Sequence, residues 1–267
     1  MTVLVGCDLD RTLIYSAAAL LLEVPDEQAP ALVVAEVYQG APLSFMTRAA
    51  ETLLAGLDDR ACFVPVTTRT VAQYRRVRLP GAGRWAVTSN GAVILRDGEP
   101  DREWSDALRA EIDASSAPLA EIVALLHGTL PVDAVLRVRD AEERFVYAIV
   151  DRAALTEADV AAFASTLAPL GWTVSLQGRK LYAVPVPIRK ERALAAVAER
   201  VGADRTIAAG DSLLDRDMIG WADLGLRPAH GELEAAGWTA PNVVVTDQRG
   251  VRAGEEILRR ITAELDR

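Results

Sequence analysis

Lysine is scarce in this 267-residue chain: only Lys180 and Lys190 occur, and apart from two histidines every other basic side chain is arginine. A lysine here is therefore less readily dismissed as surface filler, and each invites a reason. Two cysteines, Cys7 and Cys62, are too few for a disulfide framework or a zinc site, and each lies in an apolar run where a thiol acts as a small hydrophobe. Positive charge is also in deficit. The formal net charge of −9 makes nucleic acid and anionic membrane surfaces poor partners without a local basic patch. No run approaches the ~18 uninterrupted apolar residues of a membrane span. Met1-Thr2-Val3-Leu4-Val5-Gly6 carries no basic leader before Asp8, so the expectation is a soluble, cytoplasmic protein. Hydrophobic residues, at 51%, suffice for a core, and the length suits one domain carrying a large insertion, or two modest ones.

What is present is a succession of short, fully apolar runs: Val3–Cys7, Ala61–Val66, Trp85–Thr88, Thr206–Ala209 and Asn242–Val245. Runs of this kind read as strands buried on both faces of a parallel sheet. Amphipathic stretches at Thr70–Val77, Lys190–Val201 and Glu255–Leu265 supply crossover helices. The expected fold class is α/β, a doubly wound Rossmann-like parallel sheet. Between them, Glu103–Leu126 and Thr156–Leu170 read as helices, while Val135–Val150 and Trp172–Val186 read as hairpins. That α-β-β-α-β-β order implies an inserted α+β domain at 92–186, interrupting a core of 1–91 and 187–267. Pro65 cannot donate to a ladder, and a local bulge is expected there. Tyr15 to Gly56 exceeds what one crossover needs; it predicts a hairpin over Ala31–Met46 with Tyr38, Phe45 and Met46 at an apolar tip, a candidate flap over the end of the first strand.

The chemistry-bearing residues fall at strand ends. Asp8 and Asp10 share one side of an extended segment, and paired carboxylates need a cation between them or a proton on one. The second strand delivers Thr67-Thr68-Arg69-Thr70 to the carboxyl edge, where ligands bind in open α/β sheets. Hydroxyls there suit a phosphoryl group, although Thr68 or Thr70 can equally cap a helix. Asp211 and Asp215 lie four apart in Gly210-Asp211-Ser212-Leu213-Leu214-Asp215. Carboxylates converging from two strand ends suit Mg²⁺. Lys190, opening a helix between the acidic segments, can neutralise them and grip a phosphoryl oxygen.

D-x-D-x-T, a strand-end Thr, a helix Lys and G-D-x-x-x-D, in that order, resemble the haloacid dehalogenase (HAD) superfamily of phosphohydrolases. The insertion is similar to the C2B cap of its Cof-type and sucrose-phosphatase-like branch, which is entered through a stretch matching Ser89-Asn90-Gly91-Ala92. The resemblance implies an aspartyl-phosphate mechanism. Asp8 is the nucleophile, Asp10 acid and then base, and Thr67 and Lys190 hold the transferring oxygens. Mg²⁺ is held by Asp8, the Asp10 carbonyl and Asp211, with Asp215 beside it. Thr68, Arg69, Asn90, Gly91, His230 and Arg179 are candidate phosphate or substrate contacts. Of the basic hairpin residues Arg137, Arg139, Arg144, Arg179 and Lys180, any can meet a second anionic group or simply face water. The implied partner is a small, sugar-like phosphorylated metabolite, in a monomer or homodimer, with no nucleic acid or membrane. Three features depart from the pattern: Leu214 stands for the usual Asn, Arg11 for a common Gly, and His230 near a common Asn. A catalytically weak phosphometabolite-binding protein and a phosphomutase are the alternatives. A phosphoaspartate receiver is excluded by motif order and chain length.

Overall fold

The computed structural model describes every residue from Met1 to Arg267 except Asp58. Its elements in chain order are β1 (Val3–Cys7), β2 (Leu32–Tyr38), β3 (Ala41–Thr47), α1 (Arg48–Ala55), β4 (Cys62–Pro65), α2 (Val71–Tyr74), β5 (Trp85–Thr88), β6 (Val93–Arg96) and β7 (Glu99–Pro100). There follow α3 (Arg102–Ser115), α4 (Leu119–Thr129), β8 (Val135–Ala141), β9 (Phe145–Val150), α5 (Glu157–Leu167), β10 (Trp172–Gln177) and β11 (Lys180–Pro185). The chain closes with α6 (Lys190–Val201), β12 (Arg205–Ala209), α7 (Arg216–Trp221), β13 (Leu224–Arg227), α8 (Glu232–Ala235), β14 (Val243–Val245) and α9 (Val251–Leu265). Among the described residues no helix is long and apolar enough to cross a membrane.

Packing divides the chain into Met1–Asp101 with Lys190–Arg267, and Arg102–Arg189. The first unit holds a parallel sheet in the order β14-β13-β12-β1-β4, with β1 paired on both sides, by β12 and β4, and buried throughout. A strand shielded on both faces has no polar side to alternate with, so Val3–Cys7 is continuously apolar. Gly6 has a steric reason. A Cβ there would fall on Leu194 of α6, so glycine lets that helix lie close against β1. Val5, Cys7, Phe63, Ile207, Leu226, Ile257 and Ile261 are among the residues of the buried core.

Several expectations are corrected. The first unit extends beyond residue 91, because β6 pairs antiparallel with β5, β7 pairs antiparallel with β6, and all three stay in that unit. The predicted helix over Glu103–Leu126 is two helices, broken before Pro118, whose ring disfavours helical backbone in the residue ahead of it. No bulge forms at Pro65. The register of β1 with β4 runs unbroken, and the next residue, Val66, donates its N–H to the Cys7 carbonyl. Since N–H groups alternate in direction along a strand, the one proline lacks points away from β1. The second unit carries an antiparallel sheet in the order β10-β11-β9-β8, with α4 and α5 against it. Phe145, Phe163, Leu167, Trp172 and Leu181 are buried within this unit.

Candidate active site

Asp8, Asp211 and Asp215 converge at the carboxyl end of the parallel sheet, each offering an oxygen within 4.8 Å of the others. Asp8 follows β1 and is held by its N–H to the Ala209 carbonyl at 2.8 Å. Lys190 is the first residue of α6 and is buried, with Nζ 2.7 Å from Asp8 Oδ1 and 2.5 Å from Asp215 Oδ1. A cation at a helix N-terminus opposes the helix dipole, so this lysine needs the two carboxylates. Burial works against its charge, yet Asp215 and Asp8 together hold its pKa above the usual lysine value. Asp215 is fully engaged, because its Oδ2 accepts from Ser212 Oγ at 2.6 Å and from the Ser212 and Asp211 N–H groups at 2.9 and 3.2 Å. These bonds close the loop and turn Asp211 toward Asp8. Ser212 thus supplies the polar support that Leu214 cannot.

The cluster is electrostatically frustrated in the absence of a cation. Burial first, with Asp215 and Asp10 adding to it and Lys190 opposing, pushes Asp8 up to about 7. Burial, then Asp8 and Asp215, holds Asp211 well above the ordinary carboxylate range, and only Arg11, with Nε at 3.6 Å, opposes this. Three buried carboxylates with one buried ammonium are what a divalent cation of the Mg²⁺ type would relieve, so the donor set fits that ion.

The remaining expected residues sort into different places. The Asp10 carboxylate lies outside this cluster and sits on Arg69, whose Nε and Nη2 reach its two oxygens at 2.7 Å each. Thr67 is buried, with its hydroxyl accepting from the Arg69 N–H at 3.1 Å. Thr68 is half-buried, and Thr70 caps α2 through a reciprocal pair with Gln73. The Asn90 N–H bonds the Thr67 carbonyl at 2.9 Å and the Ser89 N–H bonds the Arg69 carbonyl at 2.7 Å, so this turn holds the Thr67–Arg69 loop in place. Ser89 and Asn90 take left-handed backbone, at φ 50° and 58°, strained conformations of the kind kept at functional sites, and Gly91 follows at φ 101°, which glycine adopts without cost. Buried Asn90 Oδ1 has no hydrogen-bond partner among the described residues.

His230 is placed differently from its expected role as a substrate contact. Its Nε2 lies 2.8 Å from the Arg11 carbonyl and its Nδ1 accepts from the Gly250 N–H at 3.1 Å. Both ring nitrogens are therefore spent on backbone, with the proton on Nε2, and burial lowers the ring's pKa below the usual histidine value. His230 braces the loop after β1, which turns at Arg11 in left-handed conformation (φ 66°). His230→Ala is expected to cost about 1–3 kcal/mol, the penalty for orphaning buried backbone partners. Chemical denaturation measures it, and unchanged stability would remove the bracing role. Arg179 lies in the second unit, with Nε 3.5 Å from the Val150 carbonyl, while Arg137 and Arg139 are exposed on β8.

The predicted hairpin exists as β2 and β3, bridged to the loop after β1 through Tyr15 and Phe45. Its tip is Gln39-Gly40, not an apolar cluster: Tyr38 is exposed, while Met46 belongs to the core. Glu36, Arg11 and Ser212 were not among the expected site residues. Glu36 gives no sequence signal, Arg11 shows only as a departure from glycine, and Ser212 could have been found as the hydroxyl three residues before Asp215.

No protein-family model matches the chain, and no curated protein matches it by sequence. Solved structures do match over essentially the whole length. The sucrose-phosphatase of Synechocystis sp. PCC6803, solved with sucrose and phosphate, aligns at 17% identity and TM-score 0.70, over 100% of this chain and 99% of that one. A Thermoplasma acidophilum protein aligns at 12% identity and TM-score 0.65, covering 99% of each chain. A subclass IIB sugar phosphatase of the HAD superfamily aligns at 12% identity and TM-score 0.59, over 99% of this chain and 100% of that one. With its acids, threonine and lysine at the expected strand and helix ends, the chain has the fold of the HAD phosphatases, a Rossmann-like core interrupted by an α+β insert.

Proposed function

We propose that this protein is a Mg²⁺-dependent phosphomonoester hydrolase acting on a small sugar phosphate through an aspartyl-phosphate. The observation that carries the reading is the buried set Asp8, Lys190, Asp211 and Asp215 at the carboxyl edge of the parallel sheet. The likeness to a sucrose-phosphatase and a sugar phosphatase supports the substrate class.

Asp8, Asp211 and the Asp10 carbonyl would hold the ion, with Asp215 behind them. Mg²⁺ bound there supplies charge neutralisation, so that a carboxylate can approach a phosphate dianion. An Asp8 oxygen attacks phosphorus while the ester P–O bond breaks, and Asp10 gives its proton to the departing alkoxide. Asp10 then takes a proton from water as that water attacks the phospho-aspartate and releases inorganic phosphate and free Asp8. Lys190 and the Thr67 hydroxyl steady the transferring oxygens. Phosphate release from a panel of hexose and disaccharide phosphates with Mg²⁺ tests the reading, and inertness across the panel overturns it.

Metal addition has its own expected result, independent of turnover. At about 100 times its dissociation constant a ligand adds about 2.7 kcal/mol, which for a chain of this size raises Tm by about 5–10 °C. Asp8 and Asp211 have raised folded-state pKa values, so their contribution to stability is present below pH ~4, the unfolded value. For Asp8 it is lost as the pH rises through about 7. Bound metal needs these groups deprotonated, so the Mg²⁺-induced Tm shift grows from pH 5 to pH 8. Asp211→Asn removes most of it. A Tm indifferent to Mg²⁺ at pH 8 would sink the metal assignment.

A further inference from the structure

Glu36 lies on the β2–β3 hairpin and takes no part in the site as assigned above, yet its side chain is completely buried. A regular strand would send Ala35 and Glu36 to opposite faces. Here the register against β3 slips on either side of Glu36, and both residues face inward. A bulge of this kind re-aims a side chain, and such bulges recur beside active sites. What Glu36 meets is arginine on both oxygens. Its Oε2 accepts from Arg69 Nη1 at 2.7 Å and its Oε1 from Arg76 Nε at 2.9 Å. Tyr38, two residues on, lays its ring against the Arg76 guanidinium at 4.5 Å.

Arg69 is the hinge of the arrangement. Its side chain is 12% exposed, with Nη1 on Glu36 and Nε and Nη2 on Asp10. A guanidinium is planar and rigid, so fixing one corner fixes the direction of the fork at the other. The fork spans both Asp10 oxygens, and the Asp10 side chain is 49% exposed. Asp10 is thus oriented with an accessible edge by a residue 26 positions downstream of it, through an arginine from another strand end. Burying a carboxylate is costly unless it is paired, and an apolar residue would fill a core position at less cost.

The geometry points to Glu36 as a positioning residue for Asp10: the hairpin clamps Arg69, and Arg69 sets where the Asp10 carboxyl meets the leaving oxygen. This inference rests on the phosphatase reading. In the step concerned, the ester P–O bond breaks with its electron pair on oxygen, and that oxygen takes the Asp10 proton. Misplacing Asp10 should therefore hurt esters that need the proton and spare those that do not. A sugar phosphate leaves as an alkoxide and needs it; 4-nitrophenyl phosphate leaves as a stabilised phenolate and largely does not.

The experiment compares kcat and KM on these two substrates for the wild-type chain, Glu36→Gln, Glu36→Asp and Arg69→Lys, with Mg²⁺ present. Glu36→Gln is expected to lose about 10- to 100-fold in kcat on the sugar phosphate, part of what general-acid catalysis contributes. On 4-nitrophenyl phosphate the loss should stay under about threefold, with KM little changed on either. Glu36→Asp should recover part of the loss, and Arg69→Lys, which keeps the charge without the fork, should show the same selectivity. If Glu36→Gln fails to fold by circular dichroism, Arg69→Lys carries the test. Equal losses on both substrates, no loss, or a rise in KM alone would overturn the inference while leaving the phosphatase reading intact. A rise in KM on both substrates for Arg69→Lys would mean that this arginine grips substrate instead. A wild-type chain inert to both would overturn the phosphatase reading and this inference with it.

Discussion

Asp8→Asn is expected to abolish phosphate release, by at least about 10⁴-fold, the scale on which loss of a covalent nucleophile is felt. The chain should nevertheless stay folded. An asparagine has the shape of the aspartate, can accept from Lys190 Nζ through its amide oxygen, and leaves that ammonium paired with Asp215. It also removes one of the charges that burial and the neighbouring acids oppose, the opposition that lifts Asp8 to about 7. Stability without metal should therefore fall by no more than about 1 kcal/mol, and at pH 8 it should rise, because there the wild-type carboxylate is ionised against its surroundings. Two measurements check the paired expectation: turnover with Mg²⁺, and denaturation with a chelator. Acid-quenched enzyme should carry phosphate in the wild type and none in the variant. Wild-type activity in Asp8→Asn would remove the mechanism, whatever the fold.

The sequence carries that assignment plainly because each part of it is local. The run Val3–Cys7 can only be a strand shielded on both sides, and Asp8 is then the first polar residue beyond the sheet. Asp211 and Asp215 follow β12 in the same way, and Lys190 opens the helix that Gly6 allows against β1. Glu36 is the opposite case. In Leu32–Tyr38 it is the one charged residue of an otherwise apolar strand, and a lone carboxylate there reads as facing water. Only the bulge reverses its side, and a bulge depends on pairing with β3, which no local pattern reports. The hairpin's anchorage was hidden for the same reason. Ala35 and Met46 join the central core, so removing Ala31–Met46 would open that core as well as alter the site, and point substitutions are the cleaner probe. His230 misleads from the other direction. Its place in the chain suggests a substrate contact, but the backbone groups of Arg11 and Gly250, remote in sequence, occupy its ring.

Lysine scarcity gives the second large expectation, since the two lysines lie in different units and should fail in different ways. Lys190→Ala removes the only buried cation touching Asp8 and Asp215 among the described residues, and kcat should fall by about 10²- to 10³-fold, the usual cost of deleting a charge-stabilising group. Folding should suffer too, because breaking a buried pair leaves carboxylates uncompensated, typically at about 3–5 kcal/mol. The loss has a pH sign. Lys190 acts to lower the Asp8 pKa, so without it Asp8 rises further and holds its proton to higher pH. A protonated Asp8 is the cheaper group to bury, so Lys190→Ala should be least destabilised near pH 5 and most near pH 8. Lys180 begins β11 in the inserted unit, exposed, with its ammonium 5.6 Å from the Tyr147 ring centre. Such a contact contributes about 0.5–1 kcal/mol at an exposed site, so Lys180→Ala should leave kcat in place and any kinetic change should fall on KM. Steady-state kinetics and denaturation at pH 5 and pH 8 separate the two. A kcat loss at 180 exceeding that at 190 would move the catalytic cation to the other unit. A destabilisation of Lys190→Ala that shrinks as pH rises would mean that Asp8 is ionised by something other than this lysine.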